Sequence, residues 1–201
     1  MDVGCSSGQW TFSVAPQAKF VVGIDVELAS VETATTLAAR LGFENTSFVV
    51  ASATALPFKD RTFDKIICAD VLDIIPQDDK AAVELHRVAV LPAIAVFTNM
   101  VKDRKHYLFD HSFPEHIRNY TPEALKNLLE QASFQVVDSF HFYHPLSSIL
   151  WEISFLFAHS RLSKLPGLGF FVGLILGSIA RLDRRLSGPA GGIGIVAKRL
   201  N

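Results

Sequence analysis

The feature that most constrains the fold is a regular alternation of short apolar runs with longer amphipathic stretches. The runs are rich in valine and isoleucine and lie at 20–25, 47–51, 65–69 and 93–98. Runs that are apolar throughout, without polar alternation, are typical of strands covered on both faces. Apolar residues recur at helical spacing in 28–42, 78–90 and 121–132. This strand–helix alternation predicts an α/β fold, a doubly wound and mostly parallel sheet.

Local signals define some of the helix ends. Gly42 follows the first helix and is suited to a C-cap, since glycine adopts the left-handed backbone region freely. Thr121 and Pro122 open the last helix as an N-cap and a first-turn proline. Two further strands are predicted, at 134–143 and 192–200.

Between these last two strands lies an unusually apolar segment. We expect one domain, 1–201, with a core of 1–144 and 190–201 and an apolar helical insertion at 145–189. Residues 165–180 carry no charge and contain glycines at four-residue intervals. Three interpretations stay open: a helix buried against the sheet, a helix in a bilayer interface, or a membrane span. The run falls short of the roughly 20 residues that a span needs.

Charge and cysteine content favour some partners over others. Residues 159–201 hold seven lysines and arginines against one acid, whereas the whole chain has a net charge of −1. A basic, apolar end favours an anionic membrane surface over nucleic acid. We therefore expect peripheral membrane contact through 149–185, with Arg181, Arg184 and Arg185 on lipid phosphates, and no nucleic-acid partner. Two cysteines and the lack of a signal-peptide pattern indicate a cytoplasmic location. The basic, apolar end adds the expectation of a peripheral position at the inner membrane face.

A loop of small residues, Asp2–Gly8 (DVGCSSG), occupies the position of the first strand-to-helix turn. Small residues there allow a ligand to lie against backbone N–H groups, although a simple tight turn has the same composition. Asp25 follows Gly4 by 21 residues and ends a predicted strand. A carboxylate at this spacing is suited to a ribose diol, and the alternative is a cap for the helix at 28–42.

Several ordered motifs in residues 1–140 resemble class I S-adenosylmethionine-dependent methyltransferases, of the small-molecule type that acts on quinones and lipids. The motifs are DVGCSSG, VVGIDVE, VVASATALPFKDRTFDKIICADVLDIIP and LHRVAVLPAIAVFTNM. The resemblance implies a Rossmann-like sheet of about seven strands whose last strand is antiparallel. It also implies S-adenosyl-L-methionine as the cofactor and methyl transfer as the activity.

The resemblance assigns cofactor-binding roles to particular residues. The loop would face the methionine portion of the cofactor, and Asp25 would bind its ribose. Val26 and the turn at 52–53 would contact the adenine, and the residues at the end of the fourth strand would line the floor of the cofactor site. The full set is Asp2, Gly4, Cys5, Ser6, Gly8, Asp25, Val26, Ser52, Ala53, Ala69, Asp70 and Val71. Three positions depart from the family pattern: Ser6 replaces a glycine, Ser52 replaces an acid, and Pro92-Ala93-Ile94 replaces Pro-Gly-Gly. A serine at position 6 fits without strain only if its φ is negative.

No residue is marked clearly as catalytic. Methyl transfer depends mostly on positioning, with a base where the acceptor is a hydroxyl. The weak candidates are Asp70, His106 and His111, and the same two segments hold Asp73, Tyr107, Asp110, His116 and Tyr120; His141, Tyr143 and His144 follow near the next strand end. His106, His111 and His116 are five residues apart, which places no two on one helical face, so no metal site is predicted.

These patterns predict a methyltransferase that acts on a hydrophobic small molecule or lipid. One alternative is a non-catalytic protein of the same fold that binds a partner or lipid. Another is an NAD-dependent oxidoreductase, which the lack of a G-x-G-x-x-G loop disfavours. Because the first strand is central in this family and helices precede it, we also expect the complete domain to begin upstream of Met1.

Overall fold

The predicted strands and helices form in a computed structural model, which describes residues 1–100, 117–142, 149–150, 153 and 191–200. The strands are β1 (Asp2–Val3), β2 (Val21–Asp25), β3 (Thr46–Val50), β4 (Phe63–Ala69), β5 (Ala89–Met100), β6 (Gln135–Phe142) and β7 (Gly192–Arg199). The helices are α1 (Gln9–Val14), α2 (Leu28–Leu41), α3 (Asp78–Val88) and α4 (Pro122–Gln131).

The strands join in one sheet in the order β3-β2-β1-β4-β5-β7-β6. Pairs among β1 to β5 are parallel, while β7 runs antiparallel to both β5 and β6. The predicted mixed α/β sheet of seven strands with an antiparallel last strand is therefore confirmed. The short β1 lies between β2 and β4 and pairs with both, so strand order reverses there: β2 and β3 follow on one side, and β4 and β5 on the other.

The register assigns the buried side chains to two faces. Phe48 pairs with Gly23 and lies on the face where Phe12 of α1 contacts it, with ring centroids 5.7 Å apart. Phe97 lies on the opposite face, where it contacts Phe134 at the end of α4. Helices therefore cover both faces, which explains why the strand sequences are apolar without alternation.

Most predicted helix ends are confirmed. Gly42 has φ 75° at the end of α2, and the Thr121 side chain accepts a hydrogen bond from the Ala124 N–H at the start of α4. One boundary is wrong: the third helix ends at Val88, and the strand predicted from residue 93 begins at Ala89. Pro92 is accommodated because the β4–β5 register is irregular between Phe63 and Lys65.

The apolar insertion falls almost wholly outside the described residues. Within it the structure describes Ile149, Leu150 and Ile153, and these three are helical. The three interpretations of 165–180 stay predictions, as does the domain division. Among the described residues, no helix is long and apolar enough to cross a membrane.

The end of α3 contains a histidine whose protonation opposes folding. The His86 ring contacts Phe134 edge-on at 5.1 Å, and its Nε2 is buried without a hydrogen-bond partner among the described residues. Burial lowers the pKa of His86, and the nearby Arg199 guanidinium lowers it further. The folded chain therefore holds His86 in its neutral form.

This histidine predicts an acid-sensitive stability. Above pH 6.5, its ordinary pKa, His86 is neutral in both states; below it, the unfolded chain binds the proton first. We expect the free energy of unfolding to fall between pH 7.5 and 5.5, by at most about 1.4 kcal/mol per pH unit from this group. His86→Phe keeps the ring contact and is expected to reduce the slope in urea unfolding. Equal slopes for the variant and the wild type would contradict this.

Candidate functional site

The carboxyl ends of β1, β2, β3 and β4 meet at one edge of the sheet, beside the point where strand order reverses. Ligands of open parallel sheets bind at this position. The register brings the predicted residues to this edge, since Asp25 pairs with Val50 of β3 and Val3 pairs with both Ile24 and Cys68.

The loop after β1 is closed by its own backbone. Gly8 N–H donates to the Cys5 carbonyl at 2.8 Å, and Cys5 N–H donates to the Ile24 carbonyl at 2.8 Å. Gly4 and Gly8 have φ of 66° and 93°, and a Cβ on Gly4 would lie 2.3 Å from Val71 Cγ2. Glycine at position 4 is thus required both by its backbone conformation and by the close approach of the segment after β4.

Ser6 also has a positive φ, 46°. The condition for an unstrained serine, a negative φ, is therefore not met. Serine at this position costs on the order of 1 kcal/mol of conformational free energy relative to glycine. The strained backbone directs Ser6 N–H at the Asp25 carboxylate, to which it donates at 2.8 Å. The loop and the candidate ribose acid are joined by this bond.

Asp25 holds the loop while keeping acceptor capacity. Its other oxygen, Oδ1, accepts from Glu27 N–H at 3.0 Å. Each carboxylate oxygen has room for a second donor, so the group is suited to a pair of vicinal hydroxyls. Val26 beside it is 69% exposed and offers an apolar surface to a flat ring. Glu27, not Asp25, is the N-cap residue of α2.

Asp2 is fully buried beneath the loop. Its Oδ2 accepts a hydrogen bond from the Thr11 hydroxyl at 2.6 Å, while Oδ1 has no partner among the described residues. Burial raises the pKa of Asp2 above its ordinary value. A buried acceptor without a donor fits a ligand that brings a positive or N–H group to the loop. Cys5 is buried as well, and burial raises its thiol pKa to about 12, so the thiol is unreactive.

The turn after β3 lies at the same edge. Ala51 N–H donates to the Asp25 carbonyl at 2.9 Å, which places Ser52 and Ala53 next beyond β3. The Ser52 hydroxyl lies 2.8 Å from the Thr54 hydroxyl and accepts from Thr54 N–H at 3.2 Å, while Ala53 is buried. Ser52 therefore stabilises its own turn.

Ala69, the last residue of β4, is half-buried. Of the two residues that follow, Asp70 is exposed with φ 54° and Val71 is buried. A positive φ in a non-glycine residue at such an edge is typical of functional segments. The next candidate acid, Asp73, is buried. Tyr120 is also buried, and its hydroxyl donates a hydrogen bond to Asp78, so its role is structural. Burial raises the pKa of Tyr120, and the nearby Asp78 raises it further.

Other candidates stay untested. His106, Tyr107, Asp110, His111, His116, Tyr143 and His144 lie outside the described residues. His141 is exposed on β6.

Three structural side chains were missed by the sequence analysis. Thr11 holds Asp2. Arg87 holds the connection between β3 and β4 through the carbonyls of Leu56 and Phe58, and Arg118 holds the segment after β4 through the carbonyls of Leu72, Ile75 and Pro76. The Glu84–Arg87 spacing of three on a helix was a usable signal for one of them. The carbonyl partners of Arg118 leave no trace in the sequence, and the Thr11–Asp2 bond depends on how α1 packs beside β1.

A family model described as a methyltransferase domain matches residues 1–147. The chain belongs to this methyltransferase domain family. The matched range includes β1 to β6 and every residue assigned above to the cofactor, so the family resemblance is confirmed.

Curated relatives agree with this assignment. The uncharacterized methyltransferase YcgJ of Bacillus subtilis is 30% identical over 115 residues, which are 57% of this chain and 41% of the relative. A ubiquinone biosynthesis O-methyltransferase of Rickettsia prowazekii is 28% identical over 123 residues, 61% of this chain and 48% of the relative. The matched part of the chain thus spans about half or less of the length of these relatives.

Solved structures support the fold of the methyltransferase domain. The [4+2]-cyclase SpnF superposes with a TM-score of 0.73 at 24% identity, covering 98% of this chain and 73% of that protein. Two further similar structures hold S-adenosylmethionine or S-adenosylhomocysteine. For the family, S-adenosylmethionine as cofactor is confirmed.

The residues present in this chain fit that cofactor. The backbone cradle at Gly4 would be filled by any Cβ, the buried Asp2 Oδ1 needs a donor, and Asp25 faces the same loop with acceptor sites to spare. The Gly4 backbone suits the methionine portion of the cofactor, Asp2 Oδ1 suits its amine, and Asp25 suits its ribose diol.

The adenine turn offers a gain-of-affinity test. Because Ser52 stands where the family has an acid, Ser52→Asp adds a carboxylate acceptor for the purine amino group and still accepts from Thr54 N–H. We expect S-adenosylhomocysteine to bind about fivefold more tightly, which corresponds to roughly 1 kcal/mol. Isothermal titration of both proteins measures this, with Thr54→Asp as the control. An unchanged or weaker affinity of Ser52→Asp would contradict the placement.

Proposed function

We propose that the protein containing this chain is an S-adenosylmethionine-dependent methyltransferase acting on an apolar small molecule or lipid. The single observation that carries the proposal is the hydrogen bond between the loop after β1 and the candidate ribose acid. Ser6 N–H donates to Asp25 at 2.8 Å, beside the buried Asp2. Family membership supports the reaction type. The relatives' names support it further.

The residues of the chain bind and orient in this mechanism. The loop Gly4–Gly8 and Asp2 would hold the amino acid end, Asp25 the ribose, and Val26 with the turn at 52–53 the base. When bound, S-adenosylmethionine supplies a methyl group on a cationic sulfur, which leaves readily as a thioether. Catalysis therefore depends on holding the acceptor in line, and effective concentration supplies most of the acceleration.

The segment after β4 is placed to meet the acceptor. Asp70 is the exposed acid there and is suited to accept a proton if the acceptor atom is a hydroxyl oxygen. Two apolar side chains flank the same segment: Ile74 is 41% exposed and Ile117, whose N–H donates to the Asp73 carbonyl, is 53% exposed. Exposed isoleucines beside a reaction site favour an apolar acceptor.

A label-transfer assay tests the acceptor class. The chain is incubated with methyl-tritiated S-adenosylmethionine and a total cell extract, and the products are partitioned between organic and aqueous phases. We expect enzyme-dependent label in the organic phase and its loss in Asp25→Ala, which removes the ribose acid. Label only in the aqueous phase would contradict an apolar acceptor but leave the reaction type standing.

We also propose peripheral membrane contact through 149–185, which rests on sequence composition. The support is the uncharged run 165–180 together with the basic excess of 159–201. Flotation with vesicles containing anionic lipid should carry the wild type upward and leave Arg181/Arg184/Arg185→Ala behind. Flotation of neither protein would end this proposal.

A further inference from the structure

The twelve residues between β3 and β4 (51–62), which include the adenine turn, make several hydrogen bonds to one arginine, Arg87. Within them the backbone makes one isolated bridge, between Ser52 and Ala55, where Ala55 N–H donates to the Ser52 carbonyl at 3.1 Å. A connection of this length has much conformational entropy to lose. Buried Ala53 and Leu56 supply part of what fixes it.

Arg87 of α3 supplies specific polar bonds to this connection. Its guanidinium donates to the Leu56 carbonyl at 3.1 Å, to the Phe58 carbonyl at 2.9 Å and to the Asp60 carboxylate at 2.7 Å. Every second residue from Leu56 to Asp60 is therefore hydrogen-bonded to the same side chain. Its main-chain carbonyl also accepts from Arg61 N–H at 3.0 Å.

Glu84, one turn earlier on α3, completes the arrangement. Its two oxygens accept from Arg87 Nε at 2.7 Å and Nη2 at 2.9 Å, and its Oε2 also accepts from Leu56 N–H at 2.9 Å. Hydrogen bonds from Arg87 lower the pKa of the Glu84 carboxyl. Both backbone groups of Leu56, four residues after Ser52, are therefore fixed by the Glu84–Arg87 pair.

Apolar packing acts alongside these bonds, because Ala53 and Leu56 belong to the same buried cluster as Ala81 and Leu85 of α3. An open surface groove of about 280 Å³ is lined by Thr54 of the turn and by four residues of α3: Asp79, Lys80, Val83 and Glu84. Glu84 therefore lies at the edge of this groove, and its bonds to Leu56 and Arg87 border the open surface. A lysine has neither the planar fork nor the number of donors to make the same set.

We propose that Arg87 and Glu84 are positioning residues that set recognition of the adenine base by holding the turn at Ser52 and Ala53. The inference rests on the proposed function, because it requires that this turn meets adenine. The pair acts through Leu56 and the Ser52–Ala55 bridge and does not touch the cofactor. Its loss should therefore weaken discrimination at the base edge more than binding of the rest of the cofactor.

Two ligands separate this role from general stability. S-adenosylhomocysteine carries the purine amino group, and S-inosylhomocysteine carries an oxygen in its place. We expect the wild-type chain to prefer the adenosyl compound in calorimetric titration. In Arg87→Lys, affinity for the adenosyl compound should fall about tenfold and affinity for the inosyl compound about twofold, so that the preference shrinks roughly fivefold. Glu84→Gln should shrink it by a smaller factor and provides the measurement should Arg87→Lys not fold.

Arg199→Lys is the matched control. Arg199 also donates to several carbonyls, those of His86, Arg87 and Ala89 at the end of α3, but makes no bond to residues 52–60. We expect a lower melting temperature and an unchanged preference between the two ligands. An unchanged preference in Arg87→Lys, or an equal change in Arg199→Lys, would overturn the inference. If the wild type binds neither ligand, the proposed function itself fails.

Discussion

Replacing Gly4 with alanine is expected to destabilise the chain by about 2–5 kcal/mol and to remove measurable binding of S-adenosylhomocysteine. Position 4 has φ 66°, which costs about 1–2 kcal/mol for a residue with a Cβ. That Cβ would also lie 2.3 Å from Val71 Cγ2, so either the loop or the segment after β4 must shift. Urea unfolding and calorimetric titration measure the two effects.

The chain supplies its own control for the backbone contribution. Gly42 also has a positive φ, 75°, but a Cβ there meets no atom within 4 Å. Gly42→Ala should thus cost only about 1 kcal/mol and leave ligand binding intact. Val71→Ala should recover part of the loss in Gly4→Ala by removing the clashing methyl groups. Equal destabilisation by the two glycine substitutions would contradict the close approach of Val71.

Asp25→Ala is expected to weaken cofactor binding by about 100-fold or more, since hydrogen bonds to a charged group contribute about 1.5–3 kcal/mol each. The substitution removes the acceptor of the ribose hydroxyls and also releases Ser6 N–H, whose bond to Asp25 holds the strained loop. Isothermal titration with S-adenosylhomocysteine measures the loss. Asp25→Asn keeps one acceptor oxygen and should give an intermediate affinity.

The charge of Asp25 requires its own comparison. Glu32→Gln, on the exposed face of α2, removes a carboxylate from the same half of the sheet without touching the loop. It should bind within about twofold of the wild type, because an exposed charge that makes no bond to the site contributes little in water. Binding by Asp25→Ala at wild-type strength would show that this acid does not hold the ribose.

Much of the fold could be predicted from local sequence. The valine- and isoleucine-rich runs indicated β2, β3 and β4 because strands covered on both faces need no polar residues, and Gly42 and Thr121 marked helix ends through their capping chemistry. The start of β5 was missed because Pro92 argues against a strand. Only the irregular pairing with β4, a tertiary feature, admits it.

The candidate site could be predicted in its residues but not in its connections. Spacing and the family resemblance placed Gly4, Asp25 and Val71 at one edge. The positive φ of Ser6 and its bond to Asp25 depend on how two loops meet in space, and neither is encoded in residue type. The same holds for Arg87, whose partners are mostly main-chain carbonyls.

The most direct test of the central claim is calorimetric titration of the wild-type chain with S-adenosylmethionine, S-adenosylhomocysteine and NAD. The loop after β1, held to Asp25 through Ser6, predicts saturable binding of both sulfur compounds at a stoichiometry of about one. No heat is expected from NAD under the same conditions. Absence of binding to either sulfur compound at millimolar concentration, or tighter binding of NAD, would contradict the account.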